Sequence, residues 1–179
     1  DAPHNYVQFI LPGIIGMTIL FSSIFSTISV VWDREFGFLR EMLVSPVSRF
    51  TIVLGKLLAG TALSVVQGIA LLVVAPLLGI GLGFTEFLMM VFLMTLVSLA
   101  ITAFGLVIAS YLDSLEGFNV IMNFIVLPMF FLSGALYPIS ALPWALAKLT
   151  LINPLSFGVD SFKHVLLPGH GALVAEFPI

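Results

Sequence analysis

The chain has 179 residues, 60% of them hydrophobic and only 8% charged, with six Lys or Arg against nine Asp or Glu. Soluble domains carry about 25% charge, so a mean hydropathy of +1.23 excludes an ordinary soluble domain, and a net charge of −3 leaves no basic surface for nucleic acid. The absence of Cys removes disulfides, thiolate chemistry and Cys-based metal sites together.

In chain order, the first apolar stretch covers residues 7–31, longer than the roughly 20 residues a spanning helix needs. No basic segment precedes it, which argues against a signal peptide. No Met opens the chain and Asp1 is followed closely by hydrophobic sequence, so residues upstream are expected and the segment reads as a fragment. Ser22 and Ser26 lie four residues apart within this span.

The string Trp32 to Arg49 follows, carrying three of the six basic residues and three of the nine acids. Within it Phe36, Leu39 and Leu43 recur at spacings of three and four, while Asp33, Arg34, Arg40 and Glu41 fall mostly elsewhere. That pattern predicts an amphipathic helix on a membrane surface. Gly37 weakens it by about 1 kcal/mol relative to Ala, and Pro46 disfavours helix at Ser45 and ends it. Ser48 is then placed to cap the next helix. The string is either a solvated connector or a docking surface for a cytoplasmic partner, the second favoured by charges of both signs in so few residues.

A second span is expected over 52–80, with Gly60, Ser64 and Gly68 on one face. A glycine-rich tip leads to a third span over 87–110, lined by Ser98, Thr102, Gly105 and Ala109, and a short acidic loop leads to a fourth over 118–136. Small-residue faces let helices approach closely in lipid. Packing within the bundle is the favoured reading, with a dimer interface or a polar translocation lining as the alternative. Gln67 and Asn123 are amides placed mid-span, and each needs a partner in hydrocarbon, as glue between helices or as a substrate contact. Basic residues favour the cytoplasm, and Arg34, Arg40, Arg49 and Lys56 cluster around the first loop, so that loop is placed inside. The closing tail, 137–167, is interrupted by Pro138, Pro143 and Pro154. Its freed backbone groups must be buried or wetted, which suggests a re-entrant element in which Asn153 satisfies such groups and Asp160 and Lys163 pair at i, i+3.

The expected chemistry is negative. Gly55-Lys56-Leu57 lacks the hydroxyl and the preceding glycine of a P-loop, His4, His164 and His170 have no metal-ligand spacing, and there is no Gly-x-Ser-x-Gly elbow. ATP, if used, is handled by another polypeptide or by a part of the protein outside this segment.

Three stretches carry a family resemblance. Glu35-Phe36-Gly37-Phe38-Leu39-Arg40-Glu41-Met42-Leu43-Val44-Ser45-Pro46-Val47-Ser48-Arg49 resembles the inner-loop signature of the ABC-2 type exporter permeases, the membrane subunits of ATP-binding cassette exporters of the drug-resistance and nodulation-factor kind. The run from Phe131 through Ser133, Gly134 and Pro138 to Pro143 is similar to the outer end of that family's fifth span. Asn153-Pro154-Leu155-Ser156-Phe157-Gly158-Val159-Asp160-Ser161-Phe162-Lys163 is similar to its Asn-Pro stretch, with Phe157 and Lys163 where Tyr and Arg are frequent.

The resemblance implies an all-α helical bundle and a single, partial permease domain over 1–179. The four spans would be the family's second to fifth, the first and sixth being absent from the segment. It implies a coupling helix over residues 33–45, in which Glu35, Phe36, Leu39, Arg40, Glu41, Leu43, Pro46 and Arg49 meet a nucleotide-binding subunit. It further implies outer re-entrant helices over 137–165, bearing Ser133, Gly134, Pro138, Pro143, Asn153, Pro154, Asp160 and Lys163 at the outer gate.

The expected function is therefore the membrane subunit of an exporter, multi-pass in the plasma or inner membrane. It has no catalytic, metal or cofactor site of its own; its partners are a cytoplasmic ATPase that uses ATP, a second copy or a homologous permease, and membrane lipid. Ser22, Ser26, Gly60, Ser64, Gln67, Gly68 and Asn123 are the expected pathway or packing residues. No acid or base lies deep in the spans, which suits an amphipathic or lipid-like cargo. The competing reading is a non-transporting scaffold that recruits a cytoplasmic protein; an intramembrane enzyme is more remote.

Overall fold

The computed structural model describes residues 2–38, 41, 44, 46–135, 150 and 153–166, with side chains from Ile10 onward. Among them every regular element is helical. Helices α1 (Ala2–Ser26) and α2 (Ile28–Glu35) form one rod interrupted at Thr27. There the backbone and hydroxyl of Thr27 both donate to the Ile24 carbonyl, at 3.0 and 2.6 Å, a local side-chain bond of the kind that bends helices. Past Glu35 the helix stops at Phe36 and at Gly37, whose φ of 84° is left-handed. Asp33, Arg34 and Glu35 thus form the last turn of the first rod.

Helix α3 (Arg49–Val74) begins at Ser48, whose hydroxyl accepts from the Thr51 amide at 3.2 Å, the cap its sequence position suggests. It ends in a 3-10 turn, Ala75–Leu78, because Pro76 has no amide hydrogen for another helical bond. Helix α4 (Phe84–Ser110) opens with the Glu86 carboxylate accepting from the Gly83 amide at 2.7 Å. An acid in the first turn suits the positive end of a helix. Helix α5 (Leu115–Phe131) is capped by Ser114, whose hydroxyl accepts from the Gly117 amide at 3.2 Å, and α6 (Pro154–Leu166) starts at a proline in the first helical position.

Among the described residues three rods are long and apolar enough to cross a membrane: Ile10–Glu35, Arg49–Leu78 and Phe84–Ser110; α5 is apolar but shorter. Their apolar windows are 44%, 28% and 28% buried, which makes the first rod the centre of the bundle. The pairs Ser23 with Ser64 and Asp33 with Lys56 run α3 antiparallel to α1, whereas Ser23 with Ser98 and Thr27 beside Gly105 run α4 parallel to it. Helix α5 attaches through one stripe at spacing four, Phe118, Met122, Val126 and Phe130. The fold leaves Phe84, Phe92, Val107 and Phe124 outward, a surface suited to hydrocarbon rather than water.

Helix α6 lies against both α1 and α4. A Cβ at Gly16 would stand 2.6 Å from Val159 Cγ2, and one at Gly158 would stand 2.8 Å from Val97 Cγ2. Missing side chains at these two positions let three helices meet, the close-approach use of small residues in membranes.

Candidate functional site

The charged string divides. Its first three charges are engaged by other helices of the chain, Asp33 and Arg34 half-buried and Glu35 exposed. Asp33 pairs with Lys56 of α3 at 2.5 Å, both side chains about one-fifth exposed, and Lys56 also donates to Ser29 Oγ at 3.2 Å. Arg34 reaches the α4–α5 connector, where Nη1 donates to Asp113 Oδ1 at 2.6 Å and to the Leu112 carbonyl at 3.3 Å, and Nη2 donates to the Ser110 carbonyl at 2.9 Å. Glu35 Oε2 accepts from the Leu115 amide at 3.1 Å. A cation therefore closes the negative end of α4 and an anion the positive end of α5, each matched to the helix dipole.

The rest of the string faces outward. Glu41 and Arg49 are exposed, with Phe36, Phe38, Val44, Val47 and Phe50 exposed around them, and Pro46 is exposed as well. Leu39, Arg40 and Leu43 lie outside the described residues. Of the expected coupling residues, Glu35 has its carboxylate engaged by another helix of the chain.

Where α1, α3 and α4 meet, three fully buried hydroxyls form a hub. Ser23 Oγ donates to Ser64 Oγ at 3.0 Å and lies 3.0 Å from Ser98 Oγ, while Ser64 Oγ donates to the Gly60 carbonyl at 2.9 Å. Gly60 and Gly68 are buried in the same seam; a Cβ at Gly60 would collide with Ser26 Oγ, and one at Gly68 would touch Met94 Sδ at 3.0 Å. The serines singled out by spacing, Ser22 and Ser26, flank the hub rather than form it. Ser26 Oγ donates to its own helix at the Ser23 carbonyl, 2.7 Å away, and Ser22 Oγ is buried with no hydrogen-bond partner among the described residues. Gln67 and Asn123 sit on exposed helix faces, so neither joins helices among the described residues. Asn123 shares its face of α5 with exposed Glu116 and Asn119.

At the opposite end, α6 closes the C-terminus of α5. Asn153 Nδ2 donates to the Met129 carbonyl at 2.6 Å, Ser156 Oγ to the Leu132 carbonyl at 3.0 Å, and Lys163 Nζ to the Gly134 carbonyl at 2.6 Å. Ser133 is buried and bonds the Phe130 carbonyl at 2.6 Å, and Gly134 turns the chain at φ 68°. Asp160 lies on α6, partly exposed; Pro138 and Pro143 lie outside the described residues. Between α4 and α5 opens an apolar groove of about 610 Å³ lined by Ala100, Phe104, Ile125, Pro128, Leu132 and Asn153 among others.

Arg34, used in the sequence only for helix patterning and orientation, and Asp113 and Ser23 are the residues to which sequence reasoning assigned no site role. A signal for the first two existed: an Arg at the end of one apolar rod and an Asp in the loop joining two others. Nothing in a single sequence separates Ser23 from Ser22. Among the described residues no group of three His, Cys, Asp or Glu could hold a metal ion.

A bundle of long apolar helices, joined by a buried serine hub and closed by charges at its ends, defines a multi-pass membrane protein. The family model described as ABC-2 type transporter matches residues 2–167, and the chain belongs to that family. It is 32% identical over 162 residues to "Putative transport permease ycf38" of Cyanophora paradoxa, covering 89% of this chain and 56% of that protein. It is 27% identical over 168 residues to "Nodulation protein J" of Rhizobium meliloti (strain 1021), covering 91% and 63%. To "Probable multidrug ABC transporter permease YbhR" of Escherichia coli (strain K12) it is 28% identical over 165 residues, covering 91% and 45%. The chain thus spans about half the length of the curated relatives it matches.

Proposed function

We propose that this chain is the core of a membrane subunit of an ATP-binding cassette exporter, moving an amphipathic or lipid-like substrate and driven by ATP hydrolysed on a separate, cytoplasmic ATPase subunit. Membership of a transporter family sets the class. The observation that carries the partner is the exposed band formed by Phe36, Phe38, Glu41, Val44, Val47, Arg49 and Phe50 at one end of the bundle. Aromatic and aliphatic side chains interleaved with charges of both signs suit a protein contact more than a lipid contact, because a buried apolar centre with a charged rim is the composition of interfaces.

In this reading residues 33–45 carry the coupling element, and the first loop faces the cytoplasm of a plasma or inner membrane. Four spans cross it, at about 7–31, 52–80, 87–110 and 118–136, and the Asn153-Pro154 helix belongs to a re-entrant outer closure. Two copies, or one copy and a homologous permease, enclose the pathway. The exposed amides of Gln67 and Asn123 support this, since an unpartnered amide on a spanning helix is favoured by a wetted cavity or a second subunit. The full-length chain should co-purify with an ATPase subunit, and deletion of either gene should abolish export of the same cargo. Co-purification that survives with export unaffected by either deletion would instead indicate a scaffold.

A further inference from the structure

Helix α5 is held unusually. It packs on α1 and α2 through the stripe Phe118, Met122, Val126 and Phe130, yet it diverges from α4, its neighbour in sequence, leaving the apolar groove between Phe104 and Ile125. The connector from Tyr111 to Ser114 is the corner from which the two helices part. That corner is gripped from one turn of another helix: Arg34 holds the carbonyls of Ser110 and Leu112 and the carboxylate of Asp113, and the adjacent Glu35 holds the Leu115 amide. Immediately beyond Glu35 the chain leaves the bundle through Phe36 and left-handed Gly37 into the exposed band.

We infer that Arg34 and Glu35 are positioning residues that set the angle between α4 and α5, so that a displacement of the exposed band is delivered to α5 and changes the width of the groove between them. The inference rests on the exporter reading, which supplies the source of displacement. The grip does not need to be strong to do this. Arg34 is about one-third exposed and Asp113 mostly exposed, and pairs of that kind contribute little stability. What they supply is direction, because three acceptors around one guanidinium and a backbone amide on the next side chain leave the corner one orientation relative to α2. Glu35 takes a second role here: its Oε2 accepts from α5.

The test uses the full-length chain assembled with its ATPase subunit in lipid nanodiscs, with spin labels at positions 104 and 125 on either side of the groove. Distances are measured without nucleotide and with ATP and vanadate. The unaltered clamp should give a nucleotide-dependent shift, which Glu35→Ala and Arg34→Ala lose. Glu35→Gln should retain it, because the amide oxygen of Gln still accepts from the Leu115 amide. Retention of the shift in Glu35→Ala and Arg34→Ala would overturn the inference. So would a Glu35→Gln variant as defective as Glu35→Ala, which would mark Glu35 as a charged contact for the ATPase. An unsubstituted chain that binds its ATPase but shows no shift would also overturn the inference, whereas failure to bind any ATPase would instead overturn the exporter reading itself.

Discussion

Asn153 and Met129 join the end of one helix to the start of another: the Asn153 side-chain amide donates to the Met129 carbonyl at 2.6 Å while its oxygen accepts from the Leu155 amide at 3.1 Å. One residue thus satisfies an orphan acceptor of α5 and an orphan donor of α6. Asn153→Ala should lower the stability of the full chain in detergent by about 1–2 kcal/mol, the range for a lost helix cap. Asn153→Asp should recover only part of this, because a carboxylate keeps the bond to Leu155 but faces the Met129 carbonyl without a donor. Thermal unfolding followed by circular dichroism measures both.

The glycines of the bundle differ sharply in what surrounds them. A Cβ at Gly13 would collide with the backbone carbonyl oxygen of Ala135, whereas one at Gly55 would meet nothing within 4 Å. Gly13→Ala should therefore be strongly destabilising, since a backbone atom cannot swing aside, and should lower both yield and unfolding temperature. Gly55→Ala should leave stability unchanged or raise it by up to about 1 kcal/mol, the difference in helix propensity.

Neighbouring serines should behave in opposite ways. Ser23 Oγ bridges Ser64 and Ser98, and Ser22 Oγ is buried without a hydrogen-bond partner among the described residues. Ser23→Ala should cost about 0.6 kcal/mol, the average for hydrogen bonds between spanning helices, and should combine less than additively with Ser64→Ala because the two share one bond. Ser22→Ala should be neutral or stabilising, because it removes a buried polar atom that makes no bond.

Gln67 and Asn123 face away from this chain's core. Gln67→Leu and Asn123→Leu should each change unfolding of the isolated chain by no more than about 0.5 kcal/mol, as is usual for outward positions. In the assembled transporter the same substitutions should alter export, measured as accumulation of labelled lipid-like cargo in inverted vesicles. Unaltered export by both would remove these amides from the pathway.

Residues 32–49 show where the sequence was legible and where it was not. Composition and apolar run length determine by themselves that the chain is built of long helices suited to hydrocarbon, because a bilayer leaves few other ways to satisfy backbone groups. One helix end is legible as a local signal, Ser48 as the cap of α3; the ends at Gly37, Pro76 and Ser114 are located by the structure, since the expected helices over 33–45 and 52–80 run through the first two. The family is also readable, because its motifs are contiguous runs such as Glu35 to Arg49 and Asn153 to Lys163.

Only the tertiary structure decided how identical residue types divide their work. It gave Asp33, Arg34 and Glu35 partners on other helices while Glu41 and Arg49 stand exposed beyond them, chose Ser23 over Ser22 as the hub, and left Gln67 and Asn123 on the surface. The physical reason is that helical periodicity states which residues share a face, but not which face a neighbour covers. Charge partners 79 and 23 residues apart, Arg34 with Asp113 and Asp33 with Lys56, are set by the antiparallel and parallel packing of rods around α1, and that arrangement exists only once the chain is folded.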